Sequence, residues 1–420
     1  MQTTTSYFPE LSDIKGAQER LKGVITHTPL MRNLTYSEKY HSNIFFKRED
    51  LQVVRSYKIR GAHNKIASIK AGQELSGVVC ASAGNHAQGV AYSCRILGVK
   101  ATIFMPVPTP NQKVEQVKFF GKEWVDVILI GDTFDDAYLL AKEYCSKEQS
   151  IFIHPFDDEL VIEGQGTVGL EILEDTISNI DYLFMPIGGG GLASGVSSVF
   201  KQLSPETKLI GVEPEGAPAM QNSITLNENT TLAKIDKFVD GAAVKRVGEK
   251  TFEICKEQLV KVITVPEGLI CTTMLNLYNR DAIVVEPAGA LSIAALEQYK
   301  DEIKGKHVVC VLSGSNNDIS RTPEIKERSL MHKGLKHYFI INFPQRVGAL
   351  REFLVEVLGP TDDIVLFEYM KKTAKEKGPA MIGIELKAKS DFEPLMKRIN
   401  DKKIQAEYLN QKPEILQYYI

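Results

Sequence analysis

Short apolar segments rich in β-branched residues alternate with segments of helical pattern from about residue 43 to about residue 325. The apolar segments include GVVCA, ATIFM, WVDVILI, SIFI, DYLFMP, KLIGVE and HVVCVL, and each is followed by a turn with Gly or Pro and then by a helix. Uninterrupted apolar strands separated by helices are typical of a parallel sheet covered on both faces. The pattern predicts an α/β fold, whose ligands bind beyond the carboxyl ends of the strands.

The chain is too long for one hydrophobic core, and its pattern changes near Leu335. Its 420 residues exceed the roughly 250 to 300 residues at which a single core stops growing. The charged segment SNNDISRTPEIKERSLMHKGLK reads as a helix that runs into a linker, and a βαββαβ pattern typical of a ferredoxin-like unit follows it. We therefore predict an α/β domain at 1–325 with a smaller subdomain at about 50–155 inserted in the larger, a linker at 326–335 and a ferredoxin-like domain at 336–420.

Composition excludes several classes of partner. With 50 Lys and Arg against 53 Asp and Glu, the formal charge of −3 gives no bulk attraction to nucleic acid or to a membrane surface. The N-terminus lacks a basic segment followed by an apolar run, and the six cysteines occur singly, without metal-ligand spacing. We expect a cytoplasmic protein with reduced cysteines and no metal.

Two predicted strands run into turns that suit an anion. VVCASAGNHAQGV has a turn of small residues before a helix that begins near Asn85, and backbone N–H groups at such a start attract negative charge. DYLFMPIGGGGLASG has four consecutive glycines, Gly188 to Gly191, before its helix. Such a run forms either a phosphate cup or a tight turn, and four glycines favour the cup. The dinucleotide and ATP fingerprints are absent in their required form.

Lys58 in SYKIRGA and Ser315 in SGSNND carry little information when each is considered alone. A lysine is usually solvated, and a serine after a strand is usually a helix cap. At the strand ends of one α/β sheet, however, an amine, a hydroxyl, a phosphate cup and an anion-binding helix start together describe a pocket for pyridoxal phosphate. The amine bonds the aldehyde, the glycines hold the phosphate and the hydroxyl meets the pyridine nitrogen.

The sequence resembles the fold type II pyridoxal-phosphate enzymes and, among them, the threonine dehydratases. The motifs are KREDLQVVRSYKIRGA, SAGNHAQGVA, PIGGGGLASG, GVEPEGAPAM, VEPAGA and SGSNND, in the order of the family and across nearly all of residues 20–320. The resemblance implies that Lys58 is the Schiff-base lysine, that Asn85 bonds the ring oxygen of the cofactor and that Ser315 meets its pyridine nitrogen. The implied phosphate loop is Gly188, Gly189, Gly190 and Gly191, and the implied loop for the substrate carboxylate is Ser82, Ala83, Gly84, Asn85 and His86.

The chain departs from its relatives at a few positions. Tyr57 stands where the family often has Phe, and either ring packs beside a cofactor. Ala83 replaces the serine that acts as acid and base in serine racemases of this fold, which disfavours racemisation. Glu213 resembles a position of a divalent-cation site in relatives, but the acidic residue expected a few positions later is missing, and we predict no metal. Glu286 either lies near the cofactor ring or caps the following helix.

The resemblance implies β-elimination of L-threonine to 2-oxobutanoate and ammonia, the first step of isoleucine biosynthesis, with L-serine as a slower substrate. The lysine freed by the substrate amine serves as base, because burial lowers its pKa. A neutral Ser315 disfavours transamination, because it cannot keep the pyridine nitrogen protonated. The alternatives are a serine dehydratase, another fold type II lyase or synthase such as threonine synthase, or an inactive protein that senses amino acids.

The C-terminal unit resembles the ACT-like regulatory domain of biosynthetic threonine dehydratases, whose first strand, loop and helix match INFPQRVGALREFL. That resemblance implies inhibition by L-isoleucine and an opposite response to L-valine. The alternative is a role in subunit contacts alone, because the chain has one copy of the domain where longer relatives have two. In either case we expect a homo-oligomer, a dimer or a tetramer.

Overall fold

The computed structural model describes residues 7–369 and 377–416. The chain divides into two compact units, Met1–Asp318 and Ile319–Ile420. The strands of the first unit are β1 (Leu30–Arg32), β2 (Asn43–Arg48), β3 (Val78–Ala81), β4 (Ala101–Met105), β5 (Val125–Leu129), β6 (Ile151–Phe152), β7 (Tyr182–Pro186), β8 (Lys208–Pro214), β9 (Lys261–Val265) and β10 (His307–Leu312).

Helices separate almost all of these strands. They are α1 (Leu11–Leu21), α2 (Leu34–Tyr40), α3 (Lys58–Gly72), α4 (Asn85–Leu97), α5 (Asn111–Gly121), α6 (Phe134–Lys147), α7 (Glu159–Asp175), α8 (Gly191–Leu203), α9 (Ala219–Leu226), α10 (Glu249–Gln258), α11 (Glu267–Asp281) and α12 (Pro287–Ala294). Short 3-10 helices cover Glu49–Leu51, Lys122–Trp124 and Ala295–Tyr299. Among the described residues, no helix has the length and apolar character needed to cross a bilayer.

The strands of the first unit form two sheets. The larger has the order β1-β2-β10-β7-β8-β9 and is parallel except for β1, which pairs antiparallel with β2. The smaller has the order β5-β4-β3-β6 and is parallel throughout. β3, β7 and β10 are almost fully buried, as expected of strands covered by helices on both faces. The predicted α/β fold is confirmed. The strands that precede the predicted site do not share one sheet, because β3 belongs to the smaller sheet and β7 and β10 belong to the larger.

The second unit is an antiparallel sheet with helices. Its elements are α13 (Thr322–His332), β11 (Lys336–Pro344), α14 (Ala349–Glu356), β12 (Asp363–Tyr369), β13 (Lys377–Glu385), α15 (Phe392–Asp401), β14 (Ala406–Tyr408) and α16 (Pro413–Leu416), with 3-10 helices at Ile319–Arg321 and Lys389–Asp391. The strand order is β12-β13-β11-β14. From β11 to β14 the element order is βαββαβ, which confirms the ferredoxin-like class. Its core contains Phe339, Ile341, Ile382 and Leu395.

The segment predicted as a linker, 326–335, is mostly helical, because α13 extends to His332. The helix continues because it has apolar and polar partners within its own unit. Met331 packs against the cluster that contains Tyr338, and the Tyr338 hydroxyl donates a hydrogen bond of 2.6 Å to Glu327. The boundary between the two compact units in the sequence falls between Asp318 and Ile319.

Candidate active site

Lys58 is the first residue of α3 and lies beside the end of strand β10. The chain just before it pairs with the turn after β10, because Ser56 and Gly314 form an antiparallel bridge. The Tyr57 N–H also donates to the Ser313 carbonyl at 3.2 Å. Two motifs more than 250 residues apart in the sequence, SYKIRGA and SGSNND, therefore meet at this sheet edge.

The amine of Lys58 is partly buried and donates a hydrogen bond of 2.8 Å to the Pro155 carbonyl. Burial lowers the pKa of Lys58 to about 8, while the carboxylate of Glu286 acts in the opposite direction. The amine also lies 5.3 Å from the centre of the Tyr57 ring. A lysine in this setting has a substantial uncharged fraction near neutral pH and can act as a nucleophile or as a base.

Asn85, the first residue of α4, is held between two side chains. Its Oδ1 accepts a hydrogen bond of 2.6 Å from Asn316, and its Nδ2 donates one of 2.7 Å to Glu286. Since Asn316 Nδ2 also donates to the Val54 carbonyl at 2.9 Å, the orientation of both amides is determined. Within the described residues, this leaves the second N–H of Asn85 as the donor for a ligand oxygen.

Glu286 is a buried carboxyl group at the start of α12. Burial, and after it the negative charge of Asp240, raise its pKa to about 7, although the hydrogen bond from Asn85 acts to lower it. In the described part of the chain its side chain makes no capping bond to α12, so capping is not its structural role. It faces the group formed by Lys58, Asn85 and Gly314.

The four glycines after β7 are packed too tightly for any other residue. A Cβ at Gly189 would overlap the Phe156 ring, and one at Gly190 would lie 2.8 Å from Thr251 Cβ. Gly190 also has a φ of +95°, in the left-handed region that favours glycine. Among the described residues, no side chain caps the start of α8, so its backbone N–H groups face the loop without such a partner.

Ser315 and the loop before Asn85 are placed mainly by backbone bonds. The Ser315 N–H donates to the Arg55 carbonyl at 2.9 Å, and its hydroxyl makes a longer contact of 3.4 Å with the Asp50 carbonyl. In the other loop, Ser82 Oγ accepts from the Gly84 N–H at 3.2 Å. Because the Asp50 contact is long, the Ser315 hydroxyl can turn toward a ligand at small cost.

His86 is buried and neutral. Burial, aided by the charge of Lys58, lowers its pKa to about 3, and its Nε2 lies 2.9 Å from the Ile153 carbonyl. Within the described residues its Nδ1 has no hydrogen-bond partner, and the same is true of the buried hydroxyl of Ser56. Unpaired polar atoms of this kind are expected where a ligand binds.

Glu213 does not take part in this group of residues. Its two carboxylate oxygens accept hydrogen bonds from the N–H groups of Met220 and Gln221, at 2.7 and 2.8 Å. Burial raises its pKa to about 8. The carboxyl group therefore supports the start of α9, and no group of acidic, His or Cys residues suited to a metal ion was found among the described residues.

A buried ion-pair network anchors the helix that carries Lys58. Arg60, two residues after Lys58, pairs with Glu49 at 2.8 Å and with Glu171 at 2.7 Å. Lys47 pairs with the same Glu171 at 2.7 Å. The guanidinium, the ammonium and both carboxylates are almost completely shielded from solvent, so removing any one of them leaves an uncompensated buried charge, at about 3 to 5 kcal/mol.

The site has the chemical parts that pyridoxal phosphate requires. A lysine of lowered pKa, an amide donor with one free N–H, a glycine loop at an uncapped helix start and unpaired polar atoms surround one place. The residues present therefore fit the cofactor predicted from the sequence.

Comparison with known proteins agrees with this chemistry. Residues 21–314 match the family described as pyridoxal-phosphate dependent enzymes. The chain belongs to this family. Membership confirms the predicted cofactor. Residues 327–420 match the C-terminal regulatory domain of threonine dehydratase.

Two similar proteins are biosynthetic L-threonine dehydratases named IlvA. The protein from Halalkalibacterium halodurans is 60% identical over 98% of this chain and 99% of its own length. The protein from Bacillus subtilis is 56% identical over 98% and 97%. The solved structure of processed threonine deaminase isoform 2 from Solanum lycopersicum is 37% identical, has a TM-score of 0.72 and covers 77% of this chain and 96% of its own. The structure of maize serine racemase is 30% identical, with a TM-score of 0.71 and coverage of 78% and 99%.

Sequence reasoning singled out the motifs but missed several residues that complete the site. Glu286 is undecided from the sequence, Asn316 is placed in the turn with Ser315 but receives no role, and nothing in the sequence points to Pro155, Phe156 or Thr251. Asn316 follows Ser315 directly, so its position in the same turn was the available signal. Thr251 and Phe156 lie in segments without a motif, and only the folded chain brings them to the glycine loop.

Proposed function

We propose that this chain is a threonine dehydratase, which converts L-threonine to 2-oxobutanoate and ammonia in the first step of isoleucine biosynthesis. The observation that carries the proposal is 60% identity with a biosynthetic L-threonine dehydratase over nearly the whole of both chains. The arrangement of Lys58, Asn85 and the glycine loop supports it, because contacts between the strand ends of the two sheets bring these residues together.

When bound, pyridoxal phosphate supplies an aldehyde that bonds amines and a ring that withdraws electrons from the substrate α-carbon. In our proposal Lys58 is the amine that holds the cofactor. Lys58 would also be placed to accept the α-proton of the substrate, and a pKa of about 8 suits a base that works near neutral pH. Burial is the cause of that pKa, so the fold itself prepares the base.

Four further groups would hold the cofactor and substrate. Asn85 would donate its free N–H to the ring oxygen, Gly188 to Gly191 would surround the phosphate, and the neutral hydroxyl of Ser315 would meet the pyridine nitrogen. A neutral hydroxyl cannot keep that nitrogen protonated as a carboxylate would, and this favours elimination over amino transfer. The loop from Ser82 to His86 holds the substrate carboxylate.

Racemisation is the second reaction to consider, because maize serine racemase shares the fold. Ala83 argues against it, since a methyl group has no proton to give to the opposite face of the substrate. We therefore expect racemisation of L-serine to be negligible beside elimination.

We also propose that the C-terminal unit binds isoleucine. A cavity of about 350 Å³ lies beside the predicted effector loop, lined by Phe343, Arg346, Leu350, Arg351, Leu354 and Phe367. Its apolar side chains suit a branched aliphatic group, and Arg351 offers a cation for a carboxylate. Arg346 is already occupied, since it pairs with both oxygens of Glu352 at 2.8 and 2.6 Å.

The activity is tested with the purified full-length protein. We expect oxoacid and ammonia from L-threonine, a lower rate with L-serine, and no activity in Lys58→Ala although it folds. Absence of oxoacid from the cofactor-loaded protein would refute the lyase and favour the inactive sensor of amino acids.

Regulation is tested by threonine saturation curves. If isoleucine binds two states of the enzyme with different affinity, it should shift the curve to higher threonine and make it sigmoidal, with valine acting oppositely. Leu354→Arg fills the cavity and should abolish the response. Val355→Arg is the matched control, because Val355 neighbours Leu354 on α14 and is 73% exposed outside the lining. An enzyme indifferent to millimolar isoleucine would leave subunit contacts as the role of this unit.

The proposal extends to location and assembly. All six cysteines are free thiols, which suits the reducing cytoplasm. We expect a homodimer or homotetramer, which sedimentation of the purified protein distinguishes.

A further inference from the structure

Thr251, on α10, is bonded to the glycine loop from outside the pocket. Its side chain is fully buried, and its hydroxyl donates a hydrogen bond of 2.6 Å to the Gly189 carbonyl. A longer contact of 3.2 Å joins the same hydroxyl to the Gly248 carbonyl in its own helix turn. The short bond therefore connects α10 to the glycine loop, and the long one is the usual local contact of a threonine in a helix.

Two hydrogen bonds to the Gly189 carbonyl fix which way one peptide group faces, the 2.6 Å bond from Thr251 and a longer one of 3.4 Å from the Gly248 N–H. In a trans peptide the carbonyl of one residue and the N–H of the next point in opposite directions. The structure has no cis peptide among the described residues, so the Gly190 N–H points away from the carbonyl that Thr251 holds. Without the Thr251 bond only the long contact from Gly248 would hold this peptide, and the absence of side chains at Gly189 and Gly190 would give it more freedom to rotate.

Asp157 fixes the position of Thr251. Its carboxylate accepts hydrogen bonds from the N–H groups at the start of α10, at 3.0 Å from Glu249, 3.0 Å from Lys250 and 3.3 Å from Thr251. A carboxylate at a helix start is favoured by the helix dipole as well as by these bonds. Asp157 thus holds the first turn of α10, including Thr251, against the loop that precedes α7.

The loop that supplies Asp157 also contacts the glycines and Lys58. Phe156 packs against Gly189 and Gly191, and the Pro155 carbonyl accepts the hydrogen bond from Lys58. Residues 155–157 therefore join the lysine, the glycine loop and α10.

We propose that Thr251, held in place by Asp157, is a positioning residue that directs the Gly190 N–H toward the phosphate group of the cofactor. The inference rests on the proposed role of the glycine loop. In this proposal, a side chain that does not touch the cofactor orients the N–H group that donates a hydrogen bond to its phosphate. Loss of the hydroxyl should weaken recognition of the phosphate and leave recognition of the ring unchanged.

The test compares two ligands of the cofactor-free protein, pyridoxal phosphate and pyridoxal, which lacks the phosphate. Thr251→Val removes the hydroxyl and keeps the shape, whereas Thr251→Ser keeps the hydroxyl. We expect Thr251→Val to raise the Kd for pyridoxal phosphate about tenfold, the worth of one hydrogen bond, with the Kd for pyridoxal within about twofold of wild type. Thr251→Ser should stay close to wild type for both ligands.

Ser194→Ala is the matched control. Ser194 is a buried hydroxyl on α8 that contacts the Thr251 carbonyl at 3.4 Å and does not reach the Gly189 carbonyl. Its removal should change neither Kd. The phosphorus-31 resonance of the bound cofactor gives an independent readout, and it should move in Thr251→Val but not in Ser194→Ala.

The outcomes separate the inference from the proposed function. Equal weakening of both ligands in Thr251→Val, or no weakening of either, would overturn the inference. A wild-type protein that binds pyridoxal as tightly as pyridoxal phosphate would instead refute the glycine loop as the phosphate site. Should Thr251→Val fail to fold, Asp157→Asn takes its place, with the same selective loss expected and the same results overturning the inference.

Discussion

The pKa of Lys58 determines how fast the cofactor-free protein should combine with pyridoxal phosphate at each pH. Only an uncharged amine attacks an aldehyde, so the rate constant follows the uncharged fraction of Lys58. Folding lowers the pKa from 10.5 to about 8 because the amine is buried. The rate constant should therefore rise with pH to a midpoint near pH 8, and level off above it.

The size of the effect follows from the two pKa values. At pH 7 about 9% of the amines are uncharged when the pKa is about 8, against about 0.03% when it is 10.5. Burial thus raises the reactive fraction about 300-fold at pH 7. The advantage shrinks as the pH rises from 8 to 10.5, because an ordinary lysine then loses its proton as well.

The assay is stopped-flow absorbance of the covalently bound cofactor, with a small lysine analogue as the reference amine. Dividing the rate constant of the protein by that of the uncharged form of the reference amine at each pH removes the ionisations of the cofactor, which both reactions share. Glu286→Gln provides a test of sign. The Glu286 charge raises the pKa of Lys58, so removing it should move the midpoint below that of wild type.

A wild-type midpoint at pH 10 or above would refute the reasoning, because the amine would then behave as a solvated lysine. A Glu286→Gln midpoint higher than that of wild type would equally show that the carboxylate does not act on Lys58 as its position implies.

Three other variants test separate parts of the site. Lys58→Met should raise the free energy of unfolding of the cofactor-free protein at pH 7 by at most about 3 kcal/mol, as measured by urea denaturation. This gain should shrink between pH 8 and 10.5, because in that range the unfolded wild type binds a proton that the folded wild type does not, and a gain independent of pH would contradict the burial of the charged amine. Ser315→Asp should slow threonine elimination and raise side products of a longer-lived carbanion, and chromatography of products that finds the wild-type pattern at the wild-type rate would exclude the electronic role of the hydroxyl. Gly189→Ala should lower both thermal stability and cofactor content, because its Cβ overlaps the Phe156 ring, and an unchanged melting temperature would show that the loop has room.

The fold was predictable because its signals are local. Strands such as VVCA and HVVCVL are continuous apolar runs, and the turns after them carry residues of the site, one turn from each of the two sheets. The residues around Lys58 do not by themselves identify it as a functional lysine, and the prediction of its role depended on the three other motifs. Its role, and those of Ser315 and the glycines, stay predictions that the variants above test, and the role of Asn85 stays a prediction as well.

Other parts of the site could not be predicted, because they depend on contacts between distant side chains. Glu286 and Asn85 are 201 residues apart, and nothing in the periodicity of either segment specifies that they bond. Likewise, Asp157 caps a helix that begins more than 90 residues later. The helix at 322–332 was partly missed because its charged composition resembles that of a linker, while Met331 finds its apolar partners only in the folded unit.

The ion-pair network around Arg60 limits how this sequence can change over time. Replacing Glu49, Glu171 or Arg60 singly leaves a buried charge without its partner, whereas replacing the whole set by well-packed apolar residues can be neutral. A lineage that accumulates one substitution at a time must therefore pass through a poorly folded intermediate before it reaches the apolar alternative. The charges beneath the helix of Lys58 should thus persist as a historical constraint, even where an uncharged core would serve the enzyme equally well.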